Sequence, residues 1–181
     1  MGRPRSFKDD EILDRALQAF WQAGFEATTL DDLEAATGLK RASLYGAFGD
    51  KAALFRACLA RYGRHVARPW LDSLERRTGA AGVADFLAKL GTLAASDPKR
   101  RGCFMVNTAA AGVSADELDT HIARLRDAFA AALAADPQSS GASIQARADG
   151  ALALMFGLLV LARAVLPRAR LEAAAQAIHW S

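Results

Sequence analysis

The sequence predicts an all-α chain, and three observations predict it. Alanine, leucine and arginine dominate while β-branched residues are few. Apolar residues recur at i, i+3 and i+4 along most of the chain. The five prolines stand mostly at would-be helix ends. With 181 residues and 52% hydrophobic content, the chain can bury a sizeable core.

Each element is set by local signals. Lys8 to Ala23 carries Ile12, Ala16, Leu17, Phe20 and Trp21 at helical spacing, with Asp9, Asp10 and Glu11 in the first turn and Gly24 after the last. Thr28 and Thr29 precede Asp31 and Asp32, two overlapping capping-box patterns that open a short helix stopped by Gly38. A second short helix spans Lys40 to Ala47, although Gly46 inside it costs about 1 kcal/mol relative to alanine. Asp50 caps a longer helix from Lys51 to Arg68, which Pro69 is expected to break.

Composition changes near residue 68, where a boundary is expected. After Gly79 and Gly82 a helix with Val83, Phe86, Leu87, Leu90 and Leu93 ends at the loop SDPKRRG, whose basic run reads as solvated. Cys103 to Ala111 forms a short apolar helix, and Ser114 with Glu117 starts another that reaches Ala135. DPQSSG is the next turn. A long helix then spans Ala142 to Leu166, and Pro167 divides it from a last segment ending near Trp180. The total is about nine or ten helices.

Several classes are excluded. Cys58 and Cys103 form no CxxC pair, and His65, His121 and His179 show no ligand spacing, so neither a disulfide framework nor a metal or cofactor site is expected. The basic start MGRPRSFKDD has no apolar run behind it, as a signal peptide would. The apolar stretch Ala151 to Leu166 contains Arg163 and falls short of the roughly 20 residues that span a bilayer. A cytoplasmic protein with no membrane partner is expected. No GxSxG, HExxH, P-loop or Glu-x-x-His pattern occurs, which argues against an enzyme.

Net charge of +3 does not by itself argue for nucleic acid. Residues 1–50 hold six Lys or Arg against nine Asp or Glu, whereas residues 51–77 hold seven against two. Placement carries the argument instead. Two short helices joined across Thr37 to Leu39 match helix-turn-helix spacing over about residues 29–48. In that motif the second helix enters the major groove and presents its N-terminal residues to base edges. Lys40, Arg41 and Ser43 supply donors there, while Leu33, Leu39, Leu44 and Phe48 are spaced to pack on Phe20 and Trp21.

The stretches F-x-x-x-G-F-E-A-T-T-L, A-T-G-L-x-x-x-S-L-Y and F-G-D-K-x-x-L-F, between Phe20 and Phe55, resemble the TetR family of transcriptional regulators. The resemblance covers about residues 6–66. It implies an N-terminal three-helix, helix-turn-helix DNA-binding domain (6–66), a helical-bundle effector and dimerisation domain (67–181), and a homodimeric repressor on a palindromic double-stranded operator. Carried over by position, Thr29 and Lys51 would hold phosphate, Tyr45 would contact backbone, and Arg41, Ala42 and Ser43 would face bases. One departure stands out: many relatives carry an aromatic or polar side chain after the tyrosine, whereas this chain has Gly46 and Ala47. A missing side chain at Gly46 would let the helix approach DNA closely. Arg3 and Arg5 form either an arm that reaches DNA or a solvated basic tail.

The second half suggests an effector site. Trp70, Phe86, Leu90, Phe104, Met105, Phe129 and Phe156 are candidates to line a pocket for a small apolar or aromatic effector, and serve a plain core as readily. The all-round apolar helix after Ala142 suggests a subunit interface through Leu152, Met155, Leu158, Leu159, Leu161 and Val165. Cys103, between Arg100, Arg101 and a helix N-terminus, is a candidate redox or electrophile sensor, or else a small core residue. A protein-interaction module without DNA binding is the rival from another class.

Overall fold

Caps and apolar seams in the sequence become helices where expected, and the computed structural model describes them for residues 7–113, 115–135, 141–164 and 167–176. Among the described residues every regular element is helical: α1 (Phe7–Ala23), α2 (Leu30–Thr37), α3 (Arg41–Phe48) and α4 (Lys51–Tyr62), then α5 (Arg68–Glu75), α6 (Gly79–Ser96), α7 (Phe104–Ala110), α8 (Asp116–Ala134), α9 (Gly141–Arg163) and α10 (Arg168–Gln176). A π-helical turn, Gly63–Ala67, joins α4 to α5 without a break.

Pro69 therefore does not end the fourth helix. It sits in the first turn of α5, where a missing N–H breaks no obligatory bond, and the chain passes through the π-turn with the Arg68 N–H on Gly63 O. The expected cap at Ser114 lies outside the described residues, and Ala115 occupies the N-cap of α8. The last helix is described only to Gln176, so Trp180 lies outside as well.

Two apolar clusters organise the chain. In the first, Leu13, Phe20, Leu33, Leu44, Leu54, Phe55 and Leu59 tie α1 to α4 together, and Phe104, Met105 and Leu118 join them from α7 and α8. Phe55 is its hub, set edge-on to Phe20 at 5.1 Å and to Phe104 at 5.4 Å between ring centroids. In the second cluster α5, α6, α8, α9 and α10 pack around Phe86, Phe129, Met155 and Leu158. Sequence places a boundary near residue 68, but packing carries the first core across it.

The segment Ser143–Arg163 of α9 is long and apolar enough by length and composition to cross a membrane, a point missed when only Ala151 to Leu166 is considered. Here it is a bundle helix: Ala148, Ala151, Met155, Leu158, Leu159 and Ala162 are buried against its neighbours. Three of the six residues expected at a subunit interface, Met155, Leu158 and Leu159, are thus spent inside the subunit. All-round apolarity arises because α6, α8 and α10 all pack on α9. Leu152 is half-buried and Leu161 exposed, while Val165 lies outside the described residues.

Candidate nucleic-acid interface and effector cavity

The geometry of the α2–α3 pair is set by two capping systems. At the start of α2, Thr29 Oγ1 accepts the Asp32 N–H at 3.1 Å, and the Asp32 carboxylate accepts the Thr29 N–H at 2.8 Å. Gly38, at φ 72°, takes the left-handed conformation that closes α2. The start of α3 has no cap of its own. Glu34 reaches across from α2 instead, its carboxylate accepting the Arg41 N–H at 2.7 Å and pairing with Lys40 Nζ at 3.1 Å. The Arg41 N–H and the Lys40 ammonium hold that carboxyl below its ordinary pKa. Sequence reading missed Glu34, which lies seven residues from its partner, beyond any local capping pattern.

Leu44 is fully buried and anchors α3, with Tyr45 and Phe48 half-buried beside it. The outward face carries Arg41, Ala42, Ser43, Gly46 and Ala47, all exposed. It is a smooth face of small side chains with one cation at its leading edge. The Arg41 guanidinium lies 5.6 Å from the centre of the Tyr45 ring. A Cβ built at Gly46 meets nothing within 4 Å, so no packing within the chain demands glycine there. Lys51, in the first turn of α4 behind the Asp50 cap, donates to Glu26 O at 3.4 Å and lies 4.7 Å from the Phe25 ring centre. Arg3 and Arg5 lie outside the described residues.

The acidic start of α1 is partly compensated by ion pairs as well as matched to the helix dipole. Asp10 and Asp14 both pair with Arg61 of α4, at 3.0 Å and 2.5 Å, and Arg61 holds the Asp14 carboxyl below its ordinary pKa. That network ties α1 to α4 and offsets part of the negative charge at the start of α1.

A cavity of about 310 Å³ opens where α1, α4 and the π-turn meet the bundle. Of the expected lining residues, Trp70, Phe86 and Leu90 are there. Phe104, Met105, Phe129 and Phe156 are not: Phe104 and Met105 fill the first core, Phe129 is fully buried in the second, and Phe156 packs on its edge. Met155 and Leu159, expected at a subunit interface, line the cavity. Trp21, Tyr62 and His121 complete its wall, and no sequence signal links three residues so far apart on separate helices.

The KRRG run is not a solvated loop throughout. Arg101 pairs with Asp97 at 3.0 Å, donates to Gln18 Oε1 at 2.5 Å, and stacks 4.2 Å from the Trp21 ring centre. Trp21 Nε1 in turn donates to Gly102 O at 3.2 Å. Gly102 has φ 66°, and a Cβ there would stand 3.1 Å from Leu159 O, so both its conformation and its surroundings require glycine.

Cys103 faces this cavity and accepts a hydrogen bond from Tyr62 Oη at 3.4 Å. Burial pushes its thiol pKa up, and the opposing pulls of the Tyr62 hydroxyl and the Val106 and Met105 amides are smaller. The sensor reading expected a lowered thiol pKa, and burial acts against that. Arg101, one of the two cations that sequence suggested for Cys103, is spent on Asp97, Gln18 and Trp21. Burial also lifts the Tyr62 phenol well above its ordinary pKa, while the His121 imidazole is depressed to about 4 by burial and by Arg124. The wall is therefore uncharged at neutral pH apart from the Asp97–Arg101 pair.

Residues 12–58 match the family described as bacterial regulatory proteins, tetR family. The chain is 40% identical over 111 residues to the HTH-type transcriptional repressor ComR of Escherichia coli K12, a match covering 59% of this chain and about half (51%) of that protein. It is 32% identical over 135 residues to the HTH-type transcriptional regulator YezE of Bacillus subtilis 168, covering 71% and 70% of the two chains. Among solved structures, a cysteine mutant of the TetR family regulator CifR, complexed with 26-bp double-strand operator DNA, superposes with a TM-score of 0.79 at 31% identity over 97% of both chains. A TetR family regulator from Legionella pneumophila shares the fold, with a TM-score of 0.76 at 19% identity over 96% of both.

Proposed function

Because the chain belongs to the TetR family of DNA-binding transcriptional regulators, we propose that it is a cytoplasmic repressor that binds a palindromic operator as a homodimer. The observation that carries this reading is the exposed face of α3, held by Leu44 from behind and by Glu34 at its leading end. Residues 6–66 carry DNA binding, and residues 67–181 carry dimerisation and most of the effector site, to which Trp21 and Tyr62 contribute from the first half. Arg41, Ala42 and Ser43 face bases and Tyr45 lies along the backbone. Thr29 and Lys51 hold phosphate near helix N-termini, where backbone N–H groups and the dipole favour an anion. Lys40 adds a cation to the same edge. A C2 dimer places the two copies of α3 about 34–36 Å apart, one turn of B-DNA. Leu161, exposed next to Val160 on α9, is the best-placed apolar residue for the subunit contact. The 310 Å³ cavity is the place where a small apolar or aromatic effector binds and releases DNA.

Selection of duplexes from a random pool, followed by anisotropy titration across salt concentrations, tests the reading. The expected product is an inverted repeat. Arg41→Ala relaxes base choice at one position of each half-site, whereas Lys51→Ala weakens all sequences alike and lowers the salt slope by about 1 per subunit. No selected repeat, or an affinity indifferent to salt and to both substitutions, points instead to an interaction module.

A further inference from the structure

The effector cavity has a chemical character that its apolar lining alone does not reveal. Four large aromatic side chains, Trp21, Tyr62, Trp70 and Phe86, line it among aliphatic residues. Trp21 and Tyr62 stand nearly perpendicular with centroids 5.0 Å apart, and Trp70 meets Phe86 at 6.1 Å. A volume of about 310 Å³ is at the low end of the range for ligand sites, about 300–1,000 Å³. Charge is disfavoured inside. Asp97 and Arg101 compensate each other and His121 is neutral, so an ion in the cavity would find no free counter-charge.

The neutral His121 ring brings one donor and one acceptor to the wall, but the Tyr62 hydroxyl is a donor set against a poor acceptor. The Tyr62 hydroxyl, on a side chain only 4% exposed, has just the Cys103 sulfur to donate to, a weak acceptor 3.4 Å away. The Trp21 indole N–H reaches Gly102 O at 3.2 Å, the long end of the usual range. The strongest acceptor on the wall, the Asp97 carboxylate, is occupied by the Arg101 side chain and by the N–H groups of Lys99 and Arg101. A buried donor facing a poor acceptor gains when a better one arrives.

We propose that the cavity takes a neutral, flat molecule of about two fused rings that bears a carbonyl oxygen, and that the Tyr62 hydroxyl turns from Cys103 Sγ to donate to that oxygen. The rings lie among Trp21, Trp70 and Phe86. Cys103 serves as the resting acceptor of the Tyr62 proton, which gives that thiol a place in the site without ionisation. No bond is made or broken; one hydrogen bond replaces another. The proposal rests on the cavity being the effector site.

The probes are α-tetralone, a two-ring ketone, and tetralin, the same framework without oxygen. Each is titrated calorimetrically into the full chain as wild type, Tyr62→Phe and Cys103→Ala. Wild type should bind α-tetralone more tightly than tetralin. Tyr62→Phe should weaken the ketone about five- to tenfold, as expected for one neutral hydrogen bond, and leave tetralin within about twofold. Cys103→Ala removes the competing acceptor and should strengthen the ketone alone, so this variant carries the test with opposite sign if Tyr62→Phe folds poorly. Equal binding of the two probes by wild type, or parallel changes in both variants, overturns the assignment of Tyr62 while leaving the cavity as a ligand site. Binding of neither probe overturns the cavity reading together with this one.

Discussion

His121 is placed to make the stability of the chain start to fall with acid at a higher pH than its carboxylates do. It stands between the 310 Å³ cavity and a second of about 380 Å³, lining both, and has no hydrogen-bond partner among the described residues. Burial, aided by Arg124, depresses its pKa from 6.5 to about 4. From about pH 7.5 upward the ring is neutral in folded and unfolded chains alike, so His121 adds no pH dependence there. As pH falls from 6.5 toward 4, the unfolded chain takes up a proton that the folded chain refuses, and stability declines. At pH 4.5 the difference in proton binding is worth about 2.5 kcal/mol, and about 2 kcal/mol once partial solvent access is allowed for. Urea unfolding followed by circular dichroism at pH 7.5 and pH 4.5 measures it. His121→Leu should lose about 2 kcal/mol less than wild type between the two. The lowered carboxylates Glu34 and Glu172, with unfolded values of 4.5, begin to lose stabilisation in the same window, but equally in both proteins, so the difference between wild type and His121→Leu isolates the imidazole. Parallel losses in the two proteins would refute the placement of a neutral imidazole at the cavity wall.

Packing and backbone conformation set three further outcomes. Gly46→Ala should raise thermal stability by about 0.5–1 kcal/mol, since the position is helical and open; if α3 approaches DNA closely, the same change lowers operator affinity, and a gain in both would deny the close approach. Phe129→Ala removes a fully buried ring that sits edge-on to Phe86 at 5.9 Å and should cost about 3–5 kcal/mol in urea unfolding. Gly102→Ala should cost at least about 1–2 kcal/mol through its positive φ alone, and should also change Trp21 fluorescence, because the Gly102 carbonyl holds the indole N–H.

The helix-turn-helix was legible because its signals are local. Thr29 with Asp32, Gly38 and Asp50 each act within a few residues, and Leu33 and Leu44 announce their burial by spacing. The features that escaped are built from distant parts of the chain. Glu34 caps a neighbouring helix, and Arg101, read as part of a solvated basic run, stacks on a tryptophan eighty residues earlier in the chain. Trp21 packs against the first core as its spacing suggested, but its place in the cavity wall was not legible. Apolar spacing on α9 marked the right residues for burial without saying against what, which is why Met155 and Leu159 moved from an expected interface to the cavity. For Cys103 the charges of its neighbours were legible, but the engagement of Arg101 with other partners was not.

The π-turn at Gly63–Ala67 sets the rotational phase between the two halves of the molecule. Because α4, the turn and α5 form one continuous run, every residue added or removed there twists the second half by about 100° about the helix axis. Hybrid regulators made by grafting these DNA-reading helices onto another bundle therefore inherit an indexing problem. A splice that keeps the residue count of this turn preserves the angle between reader and bundle. One that repairs the turn to a regular α-helix by deleting a residue points the bundle in a new direction.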